Sequence, residues 1–177
     1  MDNVRDVSGE CQDGIESTPL VIGVGNEMRT DDAVGLYVAR QLGLRLANSV
    51  RIAEQSGEGT SLMSLWRNAE HVVIVDAVIS GSQPGTIHRV NALSTRLQKG
   101  FLRSSSHLFG VSEAIELARE LNELPKTLVL YGIEAESVEP GIGLSESLVR
   151  SLPDLLHRIE HDIELLMLGS VSPGLRD

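Results

Sequence analysis

Two kinds of hydrophobic pattern alternate along the chain. Leu20-Val21-Ile22-Gly23-Val24 is a short unbroken apolar run closed by glycine, the pattern of a buried strand. From Asp32 to about Ala47 the apolar residues Val34, Val38 and Leu42 recur at helical spacing, with Thr30 or Asp31 expected as the N-cap. Val50 to Gln55 predicts a second strand, and Leu62, Leu65, Trp66 and Ala69 predict a short amphipathic helix. Val72-Val73-Ile74-Val75 is β-branched throughout, as expected of a strand covered on both faces of a parallel sheet. Gln83-Pro84-Gly85 signals a turn, and Thr86 to Asn91 predicts another strand. If that strand pairs with the one ending at Asp76 it must run antiparallel, because the link is too short for a parallel crossover. Val111, Ala114, Ile115, Ala118 and Leu121 define one helical face, stopped by Pro125. Thr127 to Tyr131 is the last expected strand. After Gly143-Leu144-Ser145 comes a helix that Pro153 is expected to kink or split, completed by Leu155, Leu156, Ile159, Ile163 and Leu166.

Strands alternating with helices predict a three-layer α/β/α sandwich, with a mainly parallel sheet of about five strands and one antiparallel strand. Residues 1–17 show neither period and read as a disordered tail; 169–177, with Pro173 and Gly174, read as a second tail. Residues 18–168 are then one domain. The composition is that of an ordinary globular protein, with 177 residues and 41% hydrophobic positions.

Charge and cysteine content narrow the function classes. The formal net charge of −10 argues against non-specific binding to nucleic acid or an anionic membrane. The 1–17 tail carries five acids against Arg5 alone, a net −4, so −6 stays with the remainder. A single cysteine, Cys11, excludes an internal disulfide framework and a multi-cysteine zinc site, and a reducing cytoplasm is the expected compartment. No signal peptide is expected, and no apolar stretch reaches the ~20 residues needed to span a bilayer. A monomer is the default expectation.

Open α/β sheets bind ligands at the carboxyl ends of their strands, and three polar segments map to that edge. The first is Gly23-Val24-Gly25-Asn26-Glu27-Met28-Arg29-Thr30-Asp31-Asp32. Its two glycines invite a dinucleotide-binding reading, but Met28 stands where the third glycine belongs, and two aspartates at a helix start would repel a diphosphate. The second is Asp76, at the end of a buried strand, where a carboxylate needs a donor, a partner or a cation. The third is Ser104-Ser105-Ser106-His107, ahead of the helix led by Val111. His71, His88, His157 and His161 read as ordinary surface or core residues. Carboxylates and an imidazole from separate elements would form an O,O,N set suited to zinc, nickel or manganese. No G-x-S-x-G elbow is present, and Cys11 sits in the tail.

The runs Val21-Ile22-Gly23-Val24-Gly25-Asn26, Asp31-Asp32-Ala33-Val34-Gly35, Val75-Asp76-Ala77, Pro84-Gly85-Thr86, Ser105-Ser106-His107 and Gly143-Leu144-Ser145 resemble the [NiFe]-hydrogenase maturation endopeptidases. The resemblance spans about residues 20–168 and implies an α/β/α fold. It implies removal of a C-terminal extension from the hydrogenase large-subunit precursor after nickel insertion, with the nickel carried by the precursor. It also implies that Asp32, Asp76 and His107 contact the metal and carry the chemistry. Asp31 beside them either orients a ligand or caps the helix, and the cap is the favoured reading. Gln55-Ser56-Gly57-Glu58-Gly59-Thr60 departs from the Asp-Gly-Gly-Thr run that the family often has after its second strand. Two rivals stand beside this reading. One is a small amidohydrolase or aminopeptidase with its own ion; the other is a non-catalytic chaperone of the precursor's C-terminus.

Overall fold

The computed structural model describes residues 17–97 and 110–169. The expectations placed on the outer tails and on Ser104-Ser105-Ser106-His107 lie outside those residues. Five strands, β1 (Leu20–Val24), β2 (Arg51–Gln55), β3 (His71–Val78), β4 (Ile87–Asn91) and β5 (Thr127–Glu134), form one sheet in the order β2-β1-β3-β5-β4. All neighbours are parallel except β4, which runs antiparallel to β5. Four helices flank the sheet: α1 (Val34–Leu46), α2 (Gly59–Trp66), α3 (Val111–Glu120) and α4 (Glu146–Met167).

Strand alternation divides the core in two. Val21, Val73, Val75 and Tyr131 pack with α1 and α4 on one face. Ile22, Ile74, Leu128 and Leu130 pack with α2 and α3 on the other. These are the three expected layers. No helix among the described residues is long and apolar enough to cross a membrane.

Three details differ from the sequence reading. The neighbour of β4 is β5, not β3. β5 is buried along seven of its eight residues and takes the interior place beside β3. β4 is half-exposed throughout and suits the edge. Strands β3 and β5 also run past the expected ends at Val75 and Tyr131, because Asp76 pairs with Gly132 and the ladder continues to Val78 and Glu134. Finally, of the expected kink or split at Pro153, the split does not occur: α4 continues through it. A mid-helix proline costs about 3 kcal/mol, but its lost backbone bond faces solvent here. The stripe Leu148, Leu152, Leu155, Leu156, Ile159, Ile163 and Leu166 is buried. At roughly 1.5–3 kcal/mol for each large apolar side chain, that stripe outweighs the proline.

What positions the site is the close seating of α1 on the ends of β1 and β3. A Cβ at Gly35 would strike the carbonyl oxygens of Val24 and Val75, and one at Gly23 would strike the Gly35 carbonyl. Both glycines let helix backbone lie directly on strand backbone. Gly35→Ala is therefore expected to lower stability by about 3 kcal/mol, at the upper end of overpacking penalties because the obstacle is backbone. Urea unfolding followed by circular dichroism checks this; wild-type stability would contradict it.

Candidate functional site at the carboxyl edge of the sheet

Between β1 and α1 the chain makes a 3-10 turn, Thr30–Ala33, which packs against β3. Gly25 opens the segment at φ +146, with its Cα against the Asp32 carbonyl, so no larger residue fits. The expected capping role of Thr30 or Asp31 is not what the structure shows. Arg29 and Ala33 hold the cap positions of the turn and of α1, and neither start has a side-chain cap bond. Asp31 is fully buried and turns instead toward the loop between β5 and α4. Its Oδ2 accepts from the N–H groups of Glu136 at 2.8 Å and Ser137 at 3.2 Å, and its Oδ1 from Ser145 at 2.7 Å. The loop lies across the turn and offers three N–H groups that would otherwise be unmet, which is why the carboxylate goes there.

More bonds close the same seam. Thr30, held at φ 42, donates through Oγ1 to the carbonyls of Ser137 and Glu139 at 2.7 and 3.2 Å. The Arg29 guanidinium donates from Nε to the Val138 carbonyl at 3.0 Å. Gly141 accepts from Thr30 N–H at 3.1 Å and donates to the Met28 carbonyl at 2.9 Å. A depression of about 270 Å³ opens over this seam, lined in part by Thr30, Asp31, Ser137 and Ile142.

Asp32 and Asp76 lie at the same edge. Asp32 sits in the turn and is 5% exposed; Asp76 is 1% exposed on β3. The register sets Val75 beside Gly23, so Asp76 falls level with Val24, the last residue of β1. By alternation with Ile74 and Val78 it is on the α2/α3 face. Burial pushes the Asp32 carboxyl above its ordinary value, and the Arg29 charge and the Asn26 N–H offset this only in part. Among the described residues no three His, Cys, Asp or Glu side chains gather closely enough to hold a metal ion. His107 stands three residues before Gly110, the N-cap of α3, where the described chain resumes.

A fourth buried acid, Glu134, is missing from the sequence reading. It ends β5 and accepts from the N–H groups of Ser80 (2.8 Å), Gly81 (2.8 Å) and Ser82 (3.2 Å) and from the Ser80 hydroxyl (2.7 Å). His88 Nε2 lies 3.4 Å from its Oε2. Burial opposes ionisation, but the Ser80 hydroxyl, the Gly81 and Ser80 N–H groups and His88 outweigh it and lower the pKa. The rule that singled out Asp76, an acid closing a buried strand, also applies to Glu134. Ending the strand at Tyr131 had put Glu134 in a loop. The remaining histidines behave as expected: His157 and His161 are exposed, and His71 meets Thr127 Oγ1 at 3.0 Å.

The divergent loop after β2 has a local structural role. Glu58 is the N-cap of α2, and its carboxylate accepts from the hydroxyls and N–H groups of Ser61 and Thr60. These bonds, led by the Ser61 hydroxyl, bring its pKa down to about 2.

A mainly parallel-sheet α/β/α fold with buried carboxylates at its carboxyl edge defines the class, and comparison gives the family. A family model for hydrogenase maturation proteases matches residues 37–162. The hydrogenase 2 maturation protease of Escherichia coli (strain K12) is 32% identical over 148 residues, 79% of this chain and 87% of that protein. Among solved structures, the hydrogenase maturating endopeptidase HybD from E. coli superposes with a TM-score of 0.65 at 26% identity, covering 82% of this chain and 91% of that one. The solution structure of an endopeptidase from Escherichia coli gives 0.66 at 28% identity, covering 80% and 88%. The chain belongs to the hydrogenase maturation protease family.

Two outcomes follow from the opposed pKa shifts. The Asp32 carboxyl titrates higher in the folded chain than in the unfolded one, so its charge penalises folding at neutral pH, and the penalty fades as pH falls through the folded value. Asp32→Asn is expected to raise the urea midpoint at pH 7, with the gain shrinking toward acid; an unchanged or lower midpoint at pH 7 contradicts this. Glu134 has the opposite sign. Its contribution is complete above the unfolded value of about 4.3 and is lost as pH falls through the lower folded value. Glu134→Ala should cost about 2–4 kcal/mol at pH 7, since three backbone donors lose their acceptor. The difference from wild type should narrow below pH 4, and a constant difference would refute the assignment.

Proposed function

We propose that this protein removes the C-terminal extension of a [NiFe]-hydrogenase large-subunit precursor after nickel insertion. The nickel belongs to the substrate and serves as the recognition element. The observation that carries the reading is the pair Asp32 and Asp76, both nearly sealed from water at the edge where α/β sheets take their ligands. A buried carboxylate gains most from a cation that replaces its lost hydration. Two carboxylate oxygens with the imidazole of His107 form a mixed O,N set that suits divalent nickel.

In this account Asp32, Asp76 and His107 are the metal-contacting and catalytic residues. They engage the ion only when the precursor brings it, so nickel loading licenses cleavage. A precursor without nickel offers these side chains no cation, and its extension stays uncleaved. The raised pKa of Asp32 supports the same assignment, because a charge that burial disfavours is relieved when a cation docks.

Nickel-loaded and nickel-free precursor, each incubated with the protein and weighed by mass spectrometry, test this directly. The loaded form is expected to lose its extension and the empty form to stay whole. Asp76→Ala should slow cleavage by about 10²-fold or more, the scale expected when a metal contact worth several kcal/mol is lost. Equal cleavage of both precursors, with stoichiometric metal in the purified protein, would instead identify a hydrolase carrying its own ion. Binding with no mass loss would identify a chaperone.

A further inference from the structure

We infer that Asp31 is a positioning residue for the cleavage centre, one that makes the Asp32 turn and the β5–α4 loop a single rigid unit. The inference rests on the reading of Asp32 and Asp76 given above and extends it to a residue that touches neither metal nor substrate. Asp31 is fully buried, and its two oxygens meet three backbone N–H groups spread over residues 136–145. Its own N–H donates back to the Ser137 carbonyl at 3.2 Å, so side chain and main chain grip the loop together.

The position of Asp31 in the chain sets what this clamp controls. Asp32 is the next residue, and its N–H is bonded to the Arg29 carbonyl at 3.0 Å inside the same tight turn. A turn of four residues cannot shift at Asp31 without moving Asp32. On its other side the turn is stopped by the end of β1, where Gly25 meets the Asp32 carbonyl and Gly35 meets the Val24 and Val75 carbonyls. Asp32 is thus held between a backbone wall and a hydrogen-bonded loop. Thr30 adds to the grip from a left-handed conformation, φ 42, that a β-branched residue adopts only when its surroundings impose it. Ser145, whose N–H donates one of the three clamp bonds, also caps α4 through its hydroxyl. The clamp therefore ties the turn to the longest helix of the fold. A carboxylate so fixed can meet an incoming ion without reorganising, and displacement by about 1 Å is enough to cost on the order of 10²-fold in rate.

The test compares kcat and KM for cleavage of nickel-loaded precursor by the full chain and four variants, each assayed well below its melting temperature. Asp31→Asn keeps the shape of the side chain but removes the charge and one acceptor oxygen. It is expected to lower kcat about 10- to 100-fold with KM within about twofold of wild type. Ile163→Ala, a core truncation near the end of α4 distant from Ser145, controls for lost stability and should leave kcat unchanged. Thr30→Val loosens the same seam and should lower kcat in the same sense but less, so the inference stays testable if Asp31→Asn fails to fold. A wild-type kcat in Asp31→Asn, or an equal fall in Ile163→Ala, overturns the positioning role. With Asp31→Asn unfolded, a wild-type kcat in Thr30→Val overturns it. Asp76→Ala separates the two levels of the argument. If it cleaves normally, the assignment of the centre is wrong. If it is inactive while Asp31→Asn cleaves normally, only the positioning role falls.

Discussion

A carboxylate taken out of water costs several kcal/mol unless hydrogen-bond donors or a cation replace its hydration. Among its described residues this chain buries four, Asp31, Asp32, Asp76 and Glu134, all at the carboxyl edge of one sheet. The surrounding structure answers that cost in two ways. Asp31 and Glu134 each collect three backbone N–H groups from a loop, and in doing so they fix the loops that follow β5 and β3. Asp32 is answered less completely, since its pKa stays above the ordinary value despite Arg29 and the Asn26 N–H. The edge is thus partly a scaffold of satisfied acids and partly a place where negative charge is held ready.

This division of labour depends on the glycines below it. The first turn of α1 rests on bare backbone at Gly23, Gly25 and Gly35, which brings the Thr30–Ala33 turn down onto the ends of β1 and β3. Side chains there would lift the turn away from the ends of β1 and β3. The two layers of apolar packing beneath, one with α1 and α4 and one with α2 and α3, hold the sheet rigid under it. Neighbouring residues act with opposite sign: Asp31 strengthens the frame, while burial of the Asp32 charge works against it.

Much of this is legible in the sequence, and the exceptions share a cause. The apolar runs and helical spacings fix the order of elements and the layered class. Gly25 and Asp76 point to the carboxyl edge by the strand-end rule alone, and the structure places both there. The choice of Asp32 over Asp31 comes from the resemblance of the runs around them to a family. Local reasoning fails where a partner distant in sequence decides the outcome. Asp31 has the composition of a helix cap, but its donors come from residues 136–145, more than a hundred positions away. Glu134 lies in β5 because Gly132 pairs with Asp76, a ladder that no pattern within β5 announces. Pro153 breaks no helix because the buried stripe around it outweighs the loss of one exposed bond. The departure at Gln55–Thr60 is locally explained: Glu58 caps α2, a role that does not need the family's usual residues there.

On the proposed function this edge reads the nickel of its substrate. X-ray absorption at the nickel edge tests that, using a nickel-loaded precursor made uncleavable at the scissile bond, alone and then bound to the protein. Oxygen and nitrogen scatterers are expected to join the nickel on binding, with an oxygen lost in Asp76→Ala and a nitrogen lost in His107→Ala. A nickel environment that is the same in the free precursor and in the complex would contradict it.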